Sequence, residues 1–260
     1  MSATTPPEND LLDAARLLPQ ATVVVAEARH AGAALHGEEA DYADARAMGA
    51  RRRLEFVLGR ACAREALARH DIHDWPLLPT TQRDPRWPDG IAGSISHCGG
   101  ACVAAVVATA RWPGVGIDIE ALDRVDERIA ARICSARELR RLRCGRASID
   151  RAALCRVFSA KETAFKAVFP LLRRPFDFTD IEVRFDAAQT RFRAGAPDPM
   201  LDRVLRRVRG RCATGAVFVL TAAIVRRDEA GTAAAAATHG SGAPQHSRHA
   251  RQEGVLRCEF

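Results

Sequence analysis

Apolar residues recur with two different periods along the chain, and each period predicts a different element. In the first part, a helical spacing of three or four residues runs through RRRLEFVLGRACAREALAR, where Leu54, Leu58 and Ala61 lie on one side. We predict a mainly helical segment from Glu38 to His70, with a possible break at Gly49. The stretch TTQRDPRWPDG follows, and its prolines and Asp-Gly pair predict turns.

Strand patterns begin after this turn-rich stretch. GSISH and ACVAAVVA flank a Cys-Gly-Gly sequence, which predicts a hairpin, and RWPG then leads into a third strand, VGIDIE. We expect these three strands to form a small antiparallel sheet.

Helices and then strands follow again in the second part of the chain. Ser135 and Glu138 match a capping box, and a longer helix is predicted from Ser148 to Phe169, stopped by Pro170. Strand patterns recur at IEVRF, TRFRA and AVFVLTAAIVRR. This repeated order predicts an α+β fold of two similar halves, residues 1–115 and 116–228. Residues 229–260 are low in complexity and poor in large apolar groups, which predicts a disordered tail.

Composition narrows the class of protein. The chain has 260 residues, of which 47% are hydrophobic and 27% charged, typical of a soluble globular protein. No apolar run approaches the ~20 residues of a membrane span, and the N-terminus has no secretory-signal pattern, so we expect a cytoplasmic protein. The eight cysteines lack paired short spacings, which favours reduced thiols over disulfides or a zinc site.

The net charge of +7 comes from arginine, because Lys161 and Lys166 are the only lysines. Such a charge suits nucleic acid, an acidic protein or a phosphate-rich ligand, and the value alone does not separate these partners.

Two acidic residues in VGIDIE lie on one face of the predicted strand, since side chains alternate and Asp118 and Glu120 are two apart. If that face were buried, the two carboxylates would repel each other, and a divalent cation such as magnesium would remove the conflict. An isolated pair of this kind is more often a pair of solvated acids.

A second group lies on the long predicted helix. Glu162 and Lys166 are four residues apart on one face, and Lys161 lies about 100° round the helix. An acid with two lysines suits a metal-bound phosphate. The ordinary alternatives are a capping box at Ser159 and Glu162 and a surface ion pair.

Basic residues could supply further phosphate contacts. Arg53, Arg60 and Arg64 form a stripe along the first helix, and Ser96 and His97 end a strand just before two glycines. A solvated basic face and a structural histidine remain open alternatives.

The order of the motifs along the chain is more informative than any one motif alone. RRRLEFVLGR, RDPRWPDG, GSISHC, GVGIDIE and FSAKETAFKAVFP occur in this sequence and together resemble the 4′-phosphopantetheinyl transferases that activate siderophore, nonribosomal-peptide and polyketide synthases. The resemblance implies a pseudo-dimeric fold with coenzyme A between the halves. It implies transfer of phosphopantetheine to a serine of an acyl or peptidyl carrier protein, with release of 3′,5′-ADP.

The resemblance also assigns residues. It implies that Asp118, Glu120 and Glu162 bind magnesium, with Glu162 as the base and Lys166 as a second catalytic residue. Further implied contacts are Lys161 and Lys166 with the pyrophosphate and Arg53, Arg60 and His97 with the 3′-phosphate and adenosine, while Arg83 and Ser96 are additional candidates. Either Arg52 or Arg53 could match the family arginine. We expect a monomer that binds neither nucleic acid nor membrane.

Two other functions remain as alternatives. A metal-dependent phosphoesterase could use the same three acids, and a nucleic-acid-binding protein could use the arginines. Aromatic residues make up only 5% of the chain, so base stacking would have little support.

Overall fold

The computed structural model of the chain describes residues 14–27, 35–143 and 148–228, so the predicted tail at 229–260 lies outside the described residues. The helices are α1 (Ala14–Leu17), α2 (Gly37–Ala45), α3 (Ala50–Ala68), α4 (Ala130–Ile133), α5 (Ala136–Arg143), α6 (Arg151–Leu172) and α7 (Pro199–Leu205). The strands are β1 (Thr22–Glu27), β2 (Ile91–Cys98), β3 (Ala101–Ala108), β4 (Gly114–Ala121), β5 (Glu182–Phe185), β6 (Arg191–Gly195), β7 (Val208–Thr214) and β8 (Phe218–Val225). The predicted α+β class is confirmed.

The first sheet has three antiparallel strands in the order β1-β3-β2. The predicted hairpin of β2 and β3 is confirmed, and its turn uses Gly99 and Gly100, both at positive φ. Strand β1 was not predicted from the sequence. Helix α3 covers one face of this sheet, where Leu58 and Leu67 pack against Ala104 and Val106.

The second sheet has five antiparallel strands in the order β4-β8-β7-β6-β5. Our prediction that VGIDIE joins the hairpin sheet was wrong, because β4 pairs along its length with β8. Strand β2 lies beside β4 but contacts it through serine side chains. The backbone N–H of Ile117 donates to Ser94 Oγ at 3.1 Å, in place of a backbone ladder.

The two sheets pack face to face, so the fold has four layers: helix α3, the first sheet, the second sheet and helix α6. Side chains of β3, β4 and β8 fill the space between the sheets, including Val103, Ile117 and Leu220. On the outer face of the second sheet, α6 packs against β4 and β8. This close packing places the side chains of α6 beside the outward-facing residues of β4.

Helix α6 begins at the N-cap Asp150, whose carboxylate accepts hydrogen bonds from two backbone N–H groups of the first turn. The helix passes through Pro170 and ends two residues later, so the prediction that Pro170 stops it was wrong. A proline in the last turn removes only one backbone hydrogen bond. Arg173, at φ 50°, ends the helix, and its N–H donates to Phe169 O at 2.8 Å.

Within residues 14–27, 35–143 and 148–228, no helix combines the length and apolar character needed to cross a bilayer.

Small residues on β4 permit the approach of α6. A Cβ atom added at Gly116 would lie 2.0 Å from Thr163 O, and one added at Gly114 would lie 2.3 Å from Ala167 O. Both contacts are with helix backbone, so relief would require the helix to move.

We predict that Gly116→Ala lowers the free energy of unfolding by about 3 kcal/mol, the upper part of the range for overpacked cores. Gly37→Ala is the control, because a Cβ there meets nothing within 4 Å. Urea unfolding followed by circular dichroism measures both. Equal stability of the two variants would contradict close packing of α6 on β4.

Candidate active site

Two acids on β4, the buried Asp118 and the half-buried Glu120, form the centre of the site. Asp118 is 1% exposed and, with Glu120, lies on the face of β4 opposite Ile117 and Ile119, which are in the core between the sheets. One carboxylate oxygen of Asp118, Oδ1, accepts hydrogen bonds from Lys166 Nζ at 2.7 Å and Ser96 Oγ at 2.8 Å. The other, Oδ2, is buried and accepts none from the described protein groups. Such an oxygen is costly unless a cation or water binds it.

Glu120 is forced toward its neutral form. Burial, and then the negative charge of Asp118, raise its pKa to about 8. Glu120 therefore ionises less readily than an ordinary glutamate. A divalent cation would satisfy Asp118 Oδ2 and allow Glu120 to ionise, so the donor set fits a magnesium ion.

Glu162 reaches the same region from α6. Lys166 Nζ lies 3.8 Å from Glu162 Oε2 and 2.7 Å from Asp118 Oδ1, so the ammonium group lies between the two acids. Glu162 also contributes to the raised pKa of Glu120. The structure thus brings together the three acids singled out from the sequence.

The three acids do not form a preformed cage. Over the part of the chain that the structure describes, no three or more histidine, cysteine, aspartate or glutamate side chains are grouped so that they could hold a metal ion together. Asp118 and Glu120 are the two adjacent donors, and Lys166 holds Glu162 beside them.

Lys161 lies elsewhere, which corrects the predicted pyrophosphate contact. Its side chain is fully buried and donates to Ile133 O at 2.8 Å, Phe178 O at 2.8 Å and Glu138 Oε2 at 2.6 Å. These three bonds use all three ammonium protons. Lys161 is therefore a structural residue, although it adjoins Glu162 in the chain.

Glu138 completes this buried ion pair. Its carboxylate also accepts hydrogen bonds from Ser135 N at 2.9 Å and Val183 N at 2.7 Å. The Ser135–Glu138 capping box predicted from the sequence is confirmed, because Glu138 N also donates to Ser135 Oγ. The pair joins α5, α6 and β5 behind the acidic cluster.

A second polar cluster lies where α3 meets the end of β2. Arg52 Nη1 and His97 Nε2 are 2.9 Å apart, and His97 Nδ1 is 3.7 Å from Glu55 Oε2. Burial alone would raise the pKa of Glu55, but His97 and the neighbouring Arg51 outweigh it and lower the value. An arginine, a histidine and a carboxylate thus share this cluster.

The other predicted arginines are placed differently. Arg53 pairs with the exposed Asp44, whereas Arg52 lies against His97. Arg60 is 4% exposed, donates to Leu77 O at 2.9 Å, and lies over the ring of Phe56. Burial lowers the pKa of Arg60 to about 10. Its role in the described structure is therefore to fix the segment after α3.

Ser96 and Arg83 also differ from expectation. Ser96 is buried beside Asp118 and accepts a hydrogen bond from Lys166 Nζ at 3.2 Å, so it belongs to the acidic cluster. Arg83 is exposed in the turn-rich loop at φ 75°. That loop is tied to the end of α6 by Arg173 Nη1, which donates to Asp84 Oδ2 at 2.8 Å.

Sequence reasoning missed Glu55, although a signal was present. Glu55 lies three and four residues after Arg52 and Arg51, a spacing that places these side chains on one helix face.

Comparisons with known proteins support the family resemblance that the order of the sequence motifs indicated. Residues 38–107 match the 4′-phosphopantetheinyl transferase N-terminal domain family, and residues 114–208 match the 4′-phosphopantetheinyl transferase superfamily. The transferase Svp of Streptomyces mobaraensis is 38% identical over 185 residues, which cover 69% of this chain and 74% of Svp. The chain belongs to the 4′-phosphopantetheinyl transferase superfamily. It is thus an enzyme of the phosphopantetheinyl transferase class.

Other members of the superfamily match shorter stretches. The 4′-phosphopantetheinyl transferase PptT of Mycobacterium tuberculosis is 35% identical over 54% of this chain and 62% of its own length. Enterobactin synthase component D of Escherichia coli is 39% identical over 48% of this chain and 59% of its own. A solved holo-[acyl-carrier-protein] synthase of Thermotoga maritima aligns with 44% of this chain at 25% identity and a TM-score of 0.35, a likeness too low to support an argument.

We predict that Lys161→Met lowers the free energy of unfolding of this transferase by about 3–5 kcal/mol, because Glu138 would remain buried without its cation. The double variant Lys161→Met/Glu138→Gln should lose less, since no buried charge remains. Denaturant unfolding measures both. Unchanged stability of Lys161→Met with loss of coenzyme A binding would instead support a phosphate contact.

Proposed function

We propose that this transferase moves the 4′-phosphopantetheine group of coenzyme A onto a serine of a carrier protein, with magnesium at Asp118 and Glu120. The observation that carries the proposal is the buried Oδ2 of Asp118, which accepts no hydrogen bond, beside a glutamate whose pKa is raised by burial. Membership of the superfamily supports the reaction class. Coenzyme A is the substrate that such a transfer requires.

Asp118 and Glu120 would provide the first two protein ligands of the ion, and Glu162 is the third candidate. Bound magnesium would neutralise charge on the pyrophosphate and favour departure of the leaving group.

The side chains of α6 would carry out the proton and charge chemistry. Glu162 accepts the proton of the carrier serine hydroxyl, directly or through one water. The serine Oγ then bonds to the β-phosphorus, and the bond from that phosphorus to the bridging oxygen breaks. The electron pair leaves with 3′,5′-ADP. Lys166, 3.8 Å from Glu162, offers its ammonium group to the phosphate oxygens during transfer.

Arg52 and His97 would hold the 3′-phosphate and adenosine end of coenzyme A. Their nitrogen atoms lie 2.9 Å apart, so one phosphate group can contact both. In this arrangement residues 1–115 would bind the nucleotide end and residues 116–228 would carry the metal and the base. Arg83 remains a candidate for a further contact, because it is exposed on the loop that is tied to α6.

The carrier belongs by analogy to siderophore, nonribosomal-peptide or polyketide biosynthesis. The name of the relative enterobactin synthase component D supports a synthase partner. We further propose a cytoplasmic, monomeric enzyme.

We predict that the full chain with apo carrier protein, coenzyme A and magnesium adds one phosphopantetheine to the carrier, measured by intact mass. Glu162→Gln should lower the transfer rate by about 100-fold or more, the usual contribution of a general base. Glu65→Gln, on an exposed part of α3, is the control. Release of free phosphopantetheine without any carrier would point to a phosphoesterase instead.

Substrate analogues test the assignment of Arg52. We predict that Arg52→Gln raises KM for coenzyme A about tenfold, the loss of one charge-assisted phosphate contact, and leaves KM for dephospho-coenzyme A nearly unchanged. Arg53→Gln should affect neither value, because Arg53 pairs with Asp44. A larger rise in KM for coenzyme A in Arg53→Gln than in Arg52→Gln would indicate that Arg53 makes the phosphate contact.

A further inference from the structure

Arg124 lies in the turn that follows β4. Its backbone N–H donates to Ala121 O at 3.1 Å, and the N–H of Leu122 donates to Val217 O at 2.9 Å. The next residue, Val125, is 2% exposed and packs in the core. The backbone of this turn is thus held on both sides, while the side chain of Arg124 is exposed to solvent.

The guanidinium group of Arg124 lies next to both polar clusters of the site. Its Nη1 atom is 3.6 Å from Cys98 Sγ, and that sulfur atom is 4.0 Å from Glu120 Oε2. Cys98 directly follows His97, which belongs to the cluster with Arg52. Arg124 is therefore placed between the acids of β4 and the His97 cluster.

The charges of both clusters act on Arg124. Burial alone would lower the pKa of Arg124, but the contact with Cys98 outweighs it, so the pKa is raised. The carboxylates of Glu120 and Glu55 add to this rise. In turn, burial and Asp118 raise the pKa of Glu120, and Arg124 is the strongest of the cations that oppose this change. Arg124 thus interacts with an acid of each cluster.

The donors of this guanidinium group are available for a ligand. A guanidinium group carries several N–H donors, whereas sulfur is a weak acceptor. Among the residues that the structure describes, Cys98 Sγ is the one acceptor of the Arg124 side chain. Arg53, by contrast, donates to a carboxylate oxygen of Asp44. Arg124 can therefore bind a phosphate group through two hydrogen bonds.

The chemical structure of coenzyme A predicts which phosphate reaches Arg124. Its 3′-phosphate and its pyrophosphate are attached to the same ribose. With the 3′-phosphate at the His97 cluster and the pyrophosphate at the acids of β4, the phosphate attached to the ribose C5′ lies between these two places. This is also the position of the Arg124 guanidinium group.

We propose that Arg124 binds the phosphate attached to the ribose C5′ of coenzyme A, the phosphate that departs as part of 3′,5′-ADP. This inference rests on the proposed function. When the serine Oγ bonds to the β-phosphorus, the bond from that phosphorus to the bridging oxygen breaks, and its electron pair stays on the bridging oxygen. That oxygen belongs to the departing phosphate, so Arg124 stabilises the charge that develops there. Arg124 donates hydrogen bonds and transfers no proton.

The test is calorimetric binding of two nucleotides to the full chain, with magnesium chloride present. Arg124→Gln should bind 3′,5′-ADP about tenfold more weakly than the wild type, the loss of one charge-assisted contact. Its affinity for adenosine 3′-phosphate, which lacks the 5′-phosphate, should be unchanged. Arg52→Gln should weaken the binding of both nucleotides, because both carry the 3′-phosphate. Arg124→Lys, which keeps the charge but not the planar fork, should restore part of the affinity for 3′,5′-ADP.

The transfer step gives a second measurement. At saturating coenzyme A, Arg124→Gln should lower the single-turnover rate of transfer to an apo carrier by about 100-fold, a typical effect of removing one charge-stabilising donor. An unchanged rate would contradict stabilisation of the leaving group by Arg124.

The control is Arg128→Gln, which removes the same charge from an exposed arginine that pairs with Asp126. It should bind both nucleotides like the wild type. The proposal is overturned if Arg124→Gln keeps full affinity for 3′,5′-ADP. Equal weakening of both nucleotides would also overturn it, since Arg124 would then have a structural role.

The same measurements separate this inference from the proposed function. If the wild type binds 3′,5′-ADP but transfers no phosphopantetheine to any carrier, the proposed function fails, and the comparison of the two nucleotides still tests Arg124. If the wild type binds neither nucleotide, both proposals are wrong.

Discussion

A buried and a half-buried carboxylate on one strand repel each other, and the rest of the site is arranged around the groups that offset this repulsion. Asp118 receives hydrogen bonds from Lys166 of α6 and from Ser96 of β2, so three elements from different parts of the chain meet at one side chain. Burial still leaves Asp118 Oδ2 without a donor and raises the pKa of Glu120. A buried oxygen without a donor beside a glutamate with a raised pKa is more typical of a binding site than of a core.

The two lysines of the chain have different surroundings and different roles. Lys166 lies among the acids of the site, while Lys161 forms a buried ion pair with Glu138 on another side of the same helix. A buried pair of this kind adds little net stability but fixes geometry, because neither partner tolerates the loss of the other. Lys161 thus helps to set the rotation of α6 that turns Glu162 and Lys166 toward β4. Adjacent residues in one motif serve different functions.

Sequence patterns predicted the local features of this fold better than its long-range pairings. Alternation placed Asp118 and Glu120 on one face, and spacing placed Glu162 with Lys166, because both follow from the geometry of a single element. The partner of β4 could not be predicted in the same way, since β8 lies about 100 residues later in the chain. Arg53 and Lys161 were assigned by motif position, whereas the structure shows that Asp44 and Glu138 already bind them.

We propose that Asp118 and Glu120 are the ligands of a divalent cation beside the phosphates of coenzyme A. Crystals grown with coenzyme A and manganese, a magnesium substitute with a measurable anomalous signal, test it directly. We expect one anomalous peak in contact with carboxylate oxygens of both residues, including Asp118 Oδ2. A peak held by other residues, or bound coenzyme A with no metal at these carboxylates, would contradict the account.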